Sequence, residues 1–187
     1  MKKAYGKFFF TWLLLAALLT GCGEGNGKEN KEENRTENES EASQIVFECQ
    51  DMDGNAVSAS IFSESKLTMV NVWATYCNPC LSEMPGLGEL AGEYEPEEFR
   101  IIGIISDVPE GADPAVLDYA VKLIELTGAD YTHLLLNQSI YDALLTEVTA
   151  VPTTFFVNEN GEVVDTVIGA MEKTAWEEKI NALLENS

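Results

Sequence analysis

The sequence predicts one α/β domain over residues 45–187: a central mixed β-sheet flanked by helices, with an N-terminal β-hairpin and a central helix–strand insertion. Three observations carry this. Short apolar runs of strand type alternate with segments of helical periodicity, which implies a sheet covered on both faces. Two strand-like runs near the C-terminus flank Asn158-Glu159-Asn160-Gly161, a tight-turn signal that makes the sheet mixed rather than purely parallel. The first 44 residues lack the pattern of a packed core.

The chain begins MKKAYGKFFFTWLLLAALLTGC. Lys2, Lys3 and Lys7 form a positive n-region, and Phe8 to Leu19 is an apolar run of twelve residues. A membrane-spanning helix needs about 20, so residues 1–21 read as a secretory signal peptide. The run ends Leu19-Thr20-Gly21-Cys22, which resembles a bacterial lipobox. That resemblance implies cleavage before Cys22 and a diacylglyceryl group on its thiol. An ordinary signal peptide and an uncleaved anchor are the competing readings. Residues 23–44 contain no Val, Ile, Leu, Phe, Tyr, Trp or Met. Such a segment buries too little apolar surface to offset its ordering entropy. Residues 22–44 are therefore expected to be a lipidated cysteine and a disordered acidic tether. The expected location is extracytoplasmic, lipid-anchored to the bacterial cell membrane, where disulfides form and persist.

The formal charge is −21, and removing the signal takes away three lysines and no acid. The domain is thus strongly acidic. It lacks the basic footprint of a nucleic-acid binder, and the charge is read as a solubility device rather than an acidic docking face.

Within the domain, Ile45 to Phe62 carries Asp53-Gly54 between short apolar stretches and reads as a hairpin. Leu67 to Trp73 (LTMVNVW) fits a buried strand. A helix should start at Asn78 or Pro79, since proline at the first helical turn loses no hydrogen bond, and Pro85 should kink it. Arg100 to Ile105 is the next buried strand. Asp113-Pro114 opens a helix whose apolar face is Leu117, Ala120, Val121 and Ile124, and Gly128 closes it. Tyr131 to Leu136 is a strand and Ser139 to Val148 a short helix. Thr153 to Val157 and Glu162 to Ile168 form the last hairpin. The final helix has a capping-box pattern, Thr174 and Glu177, and an apolar face of Trp176, Ile180, Leu183 and Leu184.

The chemistry centres on Cys77 and Cys80, two of four cysteines, in NVWATYCNPCLSEMP. Cys77 falls between a strand's end and a helix's start, where unpaired N–H groups and the helix dipole favour thiolate over thiol. Cys80, one turn inside, is shielded yet close enough to attack a mixed disulfide on Cys77. The spacing makes Cys77 the attacking and Cys80 the resolving thiol. Cys49 reads as a small buried hydrophobe, with a regulatory disulfide to another chain as the alternative. His133, the single histidine, reads as structural.

Trp73-Ala74-Thr75-Tyr76-Cys77-Asn78-Pro79-Cys80 resembles the active-site segment of the thioredoxin superfamily, Pro85 its helix proline, and Val151-Pro152-Thr153-Thr154 its cis-proline segment. Glu83, three residues beyond Cys80, narrows the resemblance to the membrane-tethered TlpA/ResA-like thiol–disulfide oxidoreductases. It covers nearly all of residues 45–187. It implies a catalytic set of Cys77, Cys80 and Glu83, with Glu83 as the carboxyl that handles protons. It also implies substrate contacts at Trp73, Tyr76, Val151 and Pro152, a cis bond before Pro152, and a Val151 backbone open to an extended substrate. Thioredoxins carry a buried Asp where this chain has Asn71, so that role cannot sit there. Asn78-Pro79 leaves the redox potential open, while the lack of a histidine before Cys80 tilts toward a reductant.

The implied activity is protein-disulfide reduction, with exported protein thiols or disulfides as clients. Apocytochrome c and methionine sulfoxide reductase are examples from the resembling family, and a membrane thiol is the electron donor. No cofactor beyond the Cys77–Cys80 pair, no metal, no nucleic acid and a monomeric state are expected. A metal site needs about four ligands, and no second Cys-x-x-Cys exists. Peroxiredoxins share the fold, but their Pro-x-x-x-Thr-x-x-Cys pattern meets Val70 and Ala74 here. A lipid-anchored peptide-binding or chaperone module on the same fold is the non-enzymatic alternative, and it would not need both cysteines.

Overall fold

Residues 44–186 are described by the structure, a computed structural model. The expected signal peptide, Cys22 and nearly all of the tether lie outside the described residues. A three-residue antiparallel pair, β1 (Glu48–Gln50) and β2 (Ala56–Ser58), forms the predicted hairpin as its own small sheet. The hairpin stops sooner than the sequence suggested. Ala59–Glu64 is a 3-10 helix, capped by the Ser58 hydroxyl, that buries Phe62 against Phe47.

Five strands make the main sheet: β3 (Leu67–Trp73), β4 (Phe99–Pro109), β5 (Thr132–Leu136), β6 (Thr153–Asn158) and β7 (Val163–Ile168), in the order β5-β4-β3-β6-β7. β3 and β5 run parallel to β4, and β6 is antiparallel to both β3 and β7. The mixed sheet is as predicted. Every residue of β3 is buried, as expected of a central strand covered on both faces.

Side chains alternate across β3 with the period of two. Val70 and Val72 pack with Phe47, Phe62, Ile102, Ile104 and Leu134 on one face. Met69 and Trp73 point to the other face, where α1 (Asn78–Ala91), α2 (Pro114–Thr127) and α4 (Lys173–Leu184) lie. Asn71 shares that second face, between Met69 and Trp73.

Asp113 caps α2 as predicted, accepting from the Ala115 N–H at 2.8 Å, and Gly128 closes it at φ +65°. The expected apolar face is narrower than its spacing implied. Ala120 is buried and Leu117 and Ile124 pack against the same core, but Val121 is 39% exposed. The predicted helix from Ser139 to Val148 is shorter. One turn, α3 (Gln138–Ile140), capped by the Asn137 side chain, runs into a π turn over Tyr141–Leu145. The capping box at Thr174 does not form. α4 starts at Lys173 with Glu172 as N-cap and no side-chain cap. The chain entering it is pinned one residue earlier, where the Met171 N–H donates to Glu83.

Where α1 meets the end of α2, Gly88 leaves no room for a methyl group. A Cβ there would fall 2.1 Å from the Gly128 carbonyl oxygen. Because backbone blocks it, Gly88→Ala is expected to destabilise the domain by about 1–3 kcal/mol in urea unfolding. Gly92→Ala, with its nearest neighbour at 3.6 Å, should be tolerated or mildly stabilising.

Candidate active site

The parallel strands β3 and β4 both end at the same rim of the sheet, and the disulfide sits there. After Trp73 the chain crosses a short loop, tied down where Thr75 donates its N–H to Asp107 at 3.0 Å. It reaches Cys77, the N-cap residue of α1. Cys77 and Cys80 are joined as a disulfide. The Cys80 N–H donates to Cys77 Sγ at 3.2 Å, so an otherwise orphaned helix N–H faces the sulfur that the sequence named as nucleophile. Cys77 is 6% exposed and Cys80 0%, so only the first sulfur can meet a partner from outside. Tyr76, 74% exposed, stands beside it.

The peptide bond between Val151 and Pro152 is cis, as the resemblance implied. Cys77 Sγ lies 3.6 Å from the Val151 carbonyl oxygen. Pro152 itself is buried and Val151 half-buried. A groove of about 240 Å³ runs from Val151 past Tyr76, Ser106, Tyr141, Leu145 and Val148.

Trp73 departs from its expected place. It is wholly buried and donates its indole N–H to His133 Nδ1 at 3.2 Å. In this conformation its side chain offers no surface to a substrate. The reason is strand period: the last residue of β3 points under α1, and Gly103 on β4 leaves the space that the two rings fill. His133 also lies within hydrogen-bonding distance of the Ala129 carbonyl, 3.0 Å from Nε2. Burial lowers its pKa to about 4, which keeps the ring neutral, and its role is structural. Cys49 is buried and free. Burial first, then Glu110 and Asp51, pushes its thiol up to about 12; this is the inert setting expected of a buried thiol.

Glu83 lies on α1 one turn beyond Cys80 and is 5% exposed. Its Oε1 accepts from Asn71 Nδ2 at 2.9 Å. Its Oε2 accepts from the Met171 N–H at 3.1 Å and the Trp176 indole N–H at 3.3 Å. Burial raises its pKa, opposed by the hydrogen bonds from Asn71, Met171 and Trp176. Desolvation prevails, so the carboxyl holds its proton to higher pH than a solvated glutamate. Trp176 and Met171 lie about ninety residues further along the chain, and sequence patterning did not find them. The one signal available was a polar Asn inside the apolar run LTMVNVW. The buried Tyr131 hydroxyl, which has no partner among the described residues, is raised in pKa by burial and then by the charge of Glu83.

Residues 42–166 match the AhpC/TSA family. The chain belongs to that family. It is also similar to the thiol-disulfide oxidoreductase ResA of Halalkalibacterium halodurans, 29% identical over 143 residues, covering 71% of this chain and 70% of that protein. The ResA of Oceanobacillus iheyensis is 32% identical over 132 residues, covering 71% of this chain and 64% of that protein. In structure the chain is similar to a thiol:disulfide interchange protein of the thioredoxin family from Chlorobium tepidum. The TM-score is 0.62 at 23% identity, over 75% of this chain and 94% of that one. The fold is thioredoxin-like. Within the AhpC/TSA family, the Cys77–Cys80 pair and the residues Val70 and Ala74 set this chain apart from the peroxidase pattern.

Two buried groups give stability opposite pH slopes. His133, depressed from 6.5 to about 4, contributes stability that is lost as pH falls from 6.5 toward 4. Glu83, raised from 4.5, contributes stability below 4.5 that is lost as pH rises through its folded pKa. The unfolding free energy of Glu83→Gln, compared with wild type at each pH, should therefore gain as pH rises above 4.5. The gain should level off once Glu83 is ionised. Urea unfolding across pH 4–8 measures this.

Proposed function

We propose that the protein is an extracytoplasmic, lipid-anchored thiol–disulfide oxidoreductase that reduces disulfides or oxidised cysteines of exported proteins. The observation that carries the reading is the disulfide at the N-terminus of α1, with Cys77 outermost and receiving the Cys80 N–H. In the reduced protein that N–H and the helix dipole favour a Cys77 thiolate. The thiolate attacks one sulfur of a client disulfide, forms a mixed disulfide and releases the other client sulfur as thiolate. Cys80 gives its proton to the Glu83 carboxylate and attacks Cys77 Sγ. The second client sulfur departs, and the Cys77–Cys80 disulfide remains. Two electrons pass to the client, and a membrane thiol donor returns them.

Glu83 suits the proton step because it is buried on the same helix, three residues from Cys80. Residues at that spacing stand about 5–6 Å apart between Cβ atoms, and a carboxyl with a raised pKa exchanges protons nearer neutrality. Tyr76 and the Val151–Pro152 segment are the proposed client contacts, with a client strand pairing along Val151. Supporting the location are the apolar run Phe8–Leu19 and the Leu19-Thr20-Gly21-Cys22 sequence, which point to residues 1–21 as signal, 22–44 as lipidated tether and 45–187 as the redox domain. No helix among the described residues is long and apolar enough to cross a membrane. Clients such as apocytochrome c or methionine sulfoxide reductase follow from the family resemblance.

The midpoint potential of Cys77–Cys80 in graded thiol buffers is the deciding measurement. A value near or below about −270 mV supports a reductase, and one near −120 mV a disulfide donor. Cys80→Ser is expected to accumulate a mixed disulfide through Cys77 that is visible on non-reducing gels, whereas Cys77→Ser forms none. Retained function of Cys80→Ser with no trapped mixed disulfide would favour the binding-module reading.

A further inference from the structure

We propose that the Asn71 side-chain amide is a positioning residue that reverses as Glu83 takes up and loses its proton, and so sets the pH at which Cys80 exchanges protons. The inference deepens the oxidoreductase reading and rests on it for its catalytic consequence.

The Glu83 carboxyl sits in a shell of donors. All three groups bonded to its carboxyl are donors: Asn71 Nδ2, the Met171 N–H and the Trp176 indole N–H. That shell fits a carboxylate, which only accepts. A protonated carboxyl carries an O–H that needs an acceptor, and one of the present donors would face it. A backbone N–H and an indole N–H cannot accept. The Asn71 amide can, by turning about its last side-chain bond to present Oδ1 in place of Nδ2.

Asn71 is built for either orientation. It is wholly buried at the centre of β3 and paired in register with Thr154 on β6. Its Nδ2 also donates to Thr154 Oγ1 at 3.1 Å. A hydroxyl both donates and accepts, so Thr154 serves either orientation of the amide. Asn71 Oδ1, by contrast, has no partner among the described residues. An unsatisfied buried acceptor is costly, and reversal brings that oxygen to two donors, the Glu83 O–H and the Thr154 hydroxyl. The NH₂ then loses its partners, so neither orientation is fully satisfied and the protonation state of Glu83 decides between them. Thr154 lies two residues beyond Pro152, so the amide bridges the strand that follows the proposed client-binding segment and the Glu83 carboxyl. The buried Tyr131 hydroxyl ahead of β5 feels the charge of Glu83, and Cys80, one turn before Glu83 on α1, becomes a second titratable group once the disulfide is reduced.

The test is a side-chain NMR titration of the whole protein in its oxidised and reduced forms. It follows the Glu83 carboxyl carbon and the Asn71 Nδ2 resonances from pH 4 to 9. The expected result is that the amide signal moves with the same midpoint as the carboxyl. Asn71→Leu, similar in volume but unable to donate or accept, should raise the Glu83 midpoint by about one pH unit, a tenfold change in its ionisation constant. The break in midpoint potential against pH should move with it. Asn71→Asp should split the single step into two coupled ones. An Asn71 signal that stays fixed while Glu83 titrates overturns the proposal, and so does an unchanged Glu83 midpoint in a folded Asn71→Leu protein. If Asn71→Leu does not fold, the wild-type titration decides alone. Absence of a reversible two-electron step in wild type would instead remove the oxidoreductase reading, leaving the amide titration to stand or fall by itself.

Discussion

Glu83 puts a carboxyl group inside the molecule, and three elements close on it with hydrogen bonds: β3 through Asn71, α4 through Trp176, and the turn before α4 through Met171. Removing a carboxylate from water is costly unless its oxygens are met by donors. Each donor is therefore held in place by the need to satisfy the others' acceptor. The same contact ties down the chain just ahead of α4, whose first turn has no side-chain cap.

The disulfide lies at the start of the helix that carries Glu83. Its two sulfurs differ in access because α1 begins at the sheet rim and turns inward. The first cysteine stands at the helix end and the second is covered by the following turn. On the same face of the sheet as α1, Trp73 and His133 form a buried pair, with the Tyr131 ring tilted against His133. The site thus has a wet side, with Tyr76 and the groove, and a buried side that holds the titratable carboxyl.

Much of the site was legible in the chain. The placement of Cys77 and Cys80 at the start of α1 followed from strand and helix patterning, whereas Glu83, Pro152 and the cis bond before it were singled out by the resemblance. The Asp113 cap and the Gly128 stop also formed as read, since both act within one helical turn. Three readings from local spacing did not hold: the capping box at Thr174, the full helix to Val148 and the burial of Val121. Spacing says which residues share a helix face, but not how much of that face the packed fold covers. Trp73 failed differently. The motif placed it correctly in the chain, but strand alternation turned its ring inward toward His133.

What the chain determined by itself is the alternation of strands and helices, the order of the two thiols, and the polar stretch ahead of the domain. These depend on spacing, composition and charge, which are local properties. Tertiary structure alone decided the environment of Glu83, the partnership of Asn71 with Thr154, and the pairing of Trp73 with His133. Those contacts join residues from 12 to 93 positions apart. A buried polar group takes its chemistry from whichever donors the packed fold brings to it, and no local period encodes that choice.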